Sequence, residues 1–187
     1  AIVADVDLSS ATTRFFDGLG MNTRDVFARS DLEPRDGKNQ HAFCTHIDRA
    51  GDIRVLANMQ QNARWFSTLL HEFGHAVYDR YIDSDLPWSL RRPAHTLTTE
   101  AIAMLMGRQV HEVDFLVEYA DAPAFEVTPL SGELRRQQAL SMLVFTRWVL
   151  VMNAFERALY RDPDRDDLDD LWWELVAKYQ LVDRPAD

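Results

Sequence analysis

Two histidines four residues apart, with a glutamate directly after the first, stand at Leu70-His71-Glu72-Phe73-Gly74-His75. On a helix, residues four apart lie one turn above each other, so both imidazoles can point at a single ion. The Glu72 carboxylate then projects near the fourth coordination position, where it can take a proton from an activated water. The bland alternative is a surface helix that happens to carry two histidines. With six His in 187 residues, that coincidence at this spacing is rare, and a metal site is the reading adopted.

A catalytic zinc takes three protein ligands and keeps one open position, so a third ligand is required downstream. The next histidines are His95 and His111. The metzincin spacing needs a glycine three residues after His75 and a histidine three residues later, and those positions hold Tyr78 and Tyr81, which excludes that subclass. Glu100 lies in Thr98-Thr99-Glu100-Ala101-Ile102, on the helix that follows, where a short connection can fold it back across the first. Glu100 is the expected third ligand, with His95 next in line.

The elements that must position these residues are mostly helical. Apolar residues Trp65, Phe66, Leu69, Leu70, Phe73, Val77 and Tyr81 recur at three and four, which predicts one amphipathic helix over 62–82 around the histidines. Thr96 or Thr98 is the expected cap of the next helix, which ends near Arg108. Further helices are predicted over 9–19, 132–160 and 166–180, with a short turn at 25–28 and a loop over 120–129. Two β-rich runs, 41–47 and 53–59, flank a turn containing Gly51, the one sheet signal in the chain. The fold class is mainly α with one small β-hairpin, and one compact domain is the expectation for this length.

Composition narrows the partners. The formal charge of -10, with no basic run longer than Arg91-Arg92 or Arg135-Arg136, lacks the footprint of a nucleic-acid binder. No uninterrupted apolar run reaches the roughly 18 to 20 residues that cross a bilayer, and the start lacks the basic flank and apolar core of a signal peptide. No membrane span is therefore expected. A single cysteine, Cys44, makes no internal disulfide and fits a reducing compartment. The cytoplasm is favoured, and a periplasmic or secreted location also accommodates such a chain. The chain begins with Ala1 rather than Met, as a processed or excised product would.

Phe15-Phe16-Asp17-Gly18-Leu19-Gly20, the 70–75 motif, Leu86-Pro87-Trp88-Ser89-Leu90-Arg91 running on to Glu100-Ala101-Ile102, and Leu171-Trp172-Trp173-Glu174-Leu175 with Lys178-Tyr179-Gln180 resemble the angiotensin-converting enzyme type of peptidyl-dipeptidase. The stretch from Gly37-Lys38 to Ala42-Phe43-Cys44 is similar to the related thimet-type oligopeptidases. The resemblance implies a gluzincin peptidase with one zinc on His71, His75 and Glu100, and Glu72 as general base. It also implies a substrate strand carrying the pair His41-Ala42, with Arg91 and Arg92 as candidates for ordering the loop before Glu100 or binding a substrate carboxylate. Oligopeptides are the implied substrate.

This chain departs from that pattern in places. Met104 stands where the family has an Asp supporting a zinc histidine, and Val176 stands where it has the arginine of an anion site, so chloride activation is not expected. Family members run to several hundred residues in two helical lobes, and their oxyanion-donating His and Tyr have no counterpart here. Residues 1–187 are accordingly expected to be a catalytic core of a larger two-lobed enzyme, completed by further helical segments or self-association. The alternative function is a zinc-binding module without catalysis.

Overall fold

The computed structural model describes residues 2–186. It is mainly helical, with one two-stranded antiparallel hairpin. Two compact units divide at Gly132 and Glu133.

The first unit is built around α3, Ala63–Arg80. Asn62 caps it by accepting from the Trp65 N–H at 3.0 Å, and Phe66, Leu69, Leu70, Phe73 and Val77 form the buried stripe that the spacing predicts. Helix α1, Leu8–Gly18, is capped by Asp7 and buries Phe15 and Phe16. Its Phe15 ring meets Phe115 and Tyr119 of α5, Val113–Tyr119, edge-on at 5.2 and 5.4 Å. Helix α2, Arg24–Arg29, stacks Phe27 on Phe73 of α3 at 3.8 Å.

The hairpin pairs β1, Phe43–His46, with β2, Ile53–Leu56, in the register Cys44 opposite Val55. Beyond β2 the chain at Asp31 adds a parallel bridge, so β2 is flanked on both sides. Among the described residues no strand pairs the outer edge of β1. The strand begins two residues later than predicted, because His41 and Ala42 lie in the bend before it. Lys38 is buried and closes the preceding loop, donating to the Asp31 and Glu33 carbonyls at 2.9 and 2.8 Å and pairing with the Asp31 carboxylate at 2.8 Å. Bonds from a buried ammonium are the strong kind, and they lock the path into the hairpin.

Helix α4, Thr96–Gly107, is capped by His95, which accepts from the Leu97 N–H at 3.0 Å, and not by either threonine. Beyond it lie α5, in a stretch for which the sequence predicts no element, and the single turn α6, Ala124–Val127, inside the predicted loop over 120–129. These are short helices with no sustained apolar period to announce them.

The second unit contains most of α7, Ser131–Arg161, and α8, Leu168–Gln180. Phe155 meets Trp172 edge-on at 5.3 Å, and Val151 and Val176 are buried. Arg184 returns to Asp170 at 2.7 Å and to Asp169. The helical stretch Ala124–Arg161 contains an 18-residue window of mean hydropathy 1.3 and is long and apolar enough to cross a membrane by length and composition alone. Arg147 breaks this stretch, so no uninterrupted apolar run marks it in the sequence.

Candidate metal centre and active site

Helices α3 and α4 cross where glycine removes the side chain from the contact. A Cβ at Gly74 would meet the Ala103 Cα at 2.8 Å, and one at Gly107 would meet the Ser67 carbonyl at 3.1 Å and the His71 Cβ at 3.3 Å. Ser67 Oγ donates to the Gly107 carbonyl at 2.8 Å. Tyr78 donates to Thr98 Oγ1 at 3.0 Å near the other end. This close approach carries the first turn of α4 over the His71–His75 face of α3.

A methyl group at position 74 therefore has backbone opposite it, which cannot rotate away. Overpacking of this kind costs about 1–3 kcal/mol, so Gly74→Ala is expected to lower the melting temperature by roughly 5 °C in a chain of this size. The same variant should bind zinc more weakly, because α4 carries Glu100. Unchanged melting and metal affinity, measured by calorimetry and chelator competition, would show that the helix crossing is not constrained here.

At this crossing the His71 and His75 Nε2 atoms each lie 3.5 Å from an oxygen of Glu100. The three ligand atoms all lie within 4.8 Å of one another. A tetrahedral ion with donors at 2.0–2.1 Å separates its ligand atoms by about 3.4 Å. Two imidazoles and a carboxylate are also a donor set suited to zinc, so the residues fit the ion. Glu100 is the most open of the three, with 44 % of its side chain exposed, and the site is reachable from solvent. His71 is pushed below the usual imidazole range, first by burial and then by His75, which favours the neutral form a metal requires.

Glu72 is buried on the same helix turn, 7 % exposed. Burial first, and the charge of Glu100 second, push its carboxyl up to about 7, with the Cys44 backbone opposing them. Hence β1 runs beside the catalytic candidate. A divalent cation held by the three ligands would act against both upward influences.

Two groups here had no sequence reading. Thr99 is buried, and its hydroxyl lies 2.6 Å from His75 Nδ1. Asp79, half-buried one turn after His75, has its carboxyl raised by burial, with His46 and His75 opposing. Only the i, i+4 spacing from His75 to Asp79 could have pointed to the second; the first depends on the helix crossing. Cys44 is half-buried, and burial raises its thiol, so it is not a reactive thiolate.

The ligand cluster comprises His71, His75 and Glu100 and includes none of the remaining candidates. His95 is spent as the exposed cap of α4. Arg91 donates to the Leu86 carbonyl at 2.7 Å, ordering its own loop, and Arg92 is exposed. His41 is exposed and its backbone N–H donates to Asn39 Oδ1 at 2.9 Å, while Ala42 is half-buried next to Phe43 in the chain.

The family model described as angiotensin-converting enzyme matches residues 4–187. No curated protein matches the chain.

Proposed function

Because the chain belongs to the angiotensin-converting enzyme family of peptidases, we propose that it hydrolyses peptide bonds in oligopeptides using one zinc on His71, His75 and Glu100, with Glu72 as general base. The observation that carries this reading is the convergence of Glu100 on both imidazoles, 3.5 Å from each, beside the buried Glu72. Zinc, when bound, lowers the pKa of water and polarises the scissile carbonyl.

Glu72 takes the proton from the attacking water and passes it to the leaving amine as the C–N bond breaks. Its low exposure keeps competing solvent from the carboxylate. The outer edge of β1, which no strand pairs among the described residues and whose Cys44 backbone already faces Glu72, offers its remaining backbone groups to an extended peptide, in the manner of strand addition. His41 and Ala42, at the entrance to that edge, are assigned to substrate contact, and Arg91 and Arg92 to the loop that borders Glu100. Residues 1–187 act in this reading as a catalytic core joined by further helical segments of the same enzyme. A catalytically inactive zinc-binding module is the rival reading.

The test is incubation of the zinc-loaded chain with a mixed oligopeptide library, with products identified by mass spectrometry. Release of dipeptides, single residues or internal fragments supports hydrolysis and names its type. A chain shown to hold one zinc that cleaves nothing supports the inactive module.

A further inference from the structure

We propose that Thr99 is a positioning residue for the metal, holding His75 in the tautomer and ring rotation that aim Nε2 at the ion; this rests on the zinc reading above. A neutral imidazole carries one proton, and whichever nitrogen donates a hydrogen bond leaves the other free as a ligand. The Thr99 hydroxyl lies 2.6 Å from His75 Nδ1. With Nδ1–H donating to that oxygen, the Nε2 lone pair is the one left to face Glu100, from which it stands 3.5 Å.

Thr99 is 9 % exposed, so water does not compete freely for the bond. It immediately precedes Glu100, so one turn of α4 delivers both a ligand and the partner that orients a second ligand. The two threonines of that turn divide the work. Thr98 accepts from Tyr78 at 3.0 Å and donates to the His95 carbonyl at 2.7 Å, tying helix to helix and closing the cap. Thr99 meets the imidazole itself. Groups that hold the outer nitrogen of a ligand histidine fix its orientation and raise its basicity, and their loss costs roughly 10–100-fold in metal affinity.

The experiment measures zinc affinity of the full chain by competition with a chromophoric chelator, for wild type, Thr99→Val, Thr99→Ser and Tyr78→Phe. Thr99→Val keeps the shape and removes the acceptor, and should weaken zinc by roughly 10–100-fold, while Thr99→Ser and Tyr78→Phe stay within about threefold of wild type. Wild-type affinity in Thr99→Val would overturn the proposal. So would equal weakening in Tyr78→Phe, which removes a link between the same helices without touching the imidazole, or failure of Thr99→Ser to restore binding. Should Thr99→Val not fold, nitrogen-resolved NMR of the zinc-loaded wild type decides: a slowly exchanging His75 Nδ1–H signal supports the bond, and its absence overturns it. A wild-type chain that binds no zinc overturns the zinc reading first, an outcome distinct from zinc bound equally well without the Thr99 hydroxyl.

Discussion

Glu72→Gln is expected to bind one zinc per chain and to lose peptide hydrolysis by roughly 10²–10⁴-fold, the range over which a positioned general base acts. Gln keeps the size and hydrogen-bonding reach of Glu and cannot take a proton. The ligands His71, His75 and Glu100 are untouched, so metal content and activity should separate. The variant should not fall through instability. In the metal-free protein, the Glu72 carboxyl is pushed up to about 7 by burial and by Glu100, so its ionised form is disfavoured in the fold. A carboxyl raised on folding costs stability progressively as pH climbs from its unfolded value toward 7, and the cost is fully present above that. A neutral Gln removes that cost, and metal-free Glu72→Gln should melt at or above wild type at pH 8. Hydrolysis retained in this variant would assign the base elsewhere.

The second large effect is on the metal. His75→Ala removes one of two imidazole donors and should leave the chain without stoichiometric zinc after gel filtration, read by elemental analysis. Glu100→Ala should weaken binding strongly as well, because its carboxylate stands 3.5 Å from both Nε2 atoms. Full zinc in Glu100→Ala would move the third ligand to another residue, and His95, exposed and capping α4, would have to leave its Leu97 partner to serve. Both variants keep Glu72, so loss of activity with loss of metal would complement the first result.

The parts of this site that follow from local periodicity were legible. The 3,4 spacing over 65–81 places His71 and His75 on one helix, and the threonine-rich turn before Ile102 places Glu100 at the start of the next. What depended on contact between elements was not. Thr99 reaches His75 only because Gly74 lets Ala103 approach, and no single-segment pattern records that distance. The cap of α4 fell to His95 because its imidazole Nδ1 can accept as a hydroxyl does. Residues 41 and 42 read as strand on composition, yet pairing starts at Phe43, where Leu56 supplies a partner. Helix α5 is short, and its burial comes from Phe115 meeting Phe15 and Phe66 across the chain rather than from its own period.

The most direct measurement is a zinc titration of the metal-free chain with cleavage of an oligopeptide mixture followed at each step. Cleavage is expected to rise in proportion to bound metal and level at one zinc per chain, while Glu72→Gln, titrated alongside, binds the same equivalent and cleaves roughly 10²–10⁴-fold more slowly. One zinc taken up by wild type with no peptide cleaved at any point would contradict this expectation and leave a metal-binding module in place of a peptidase.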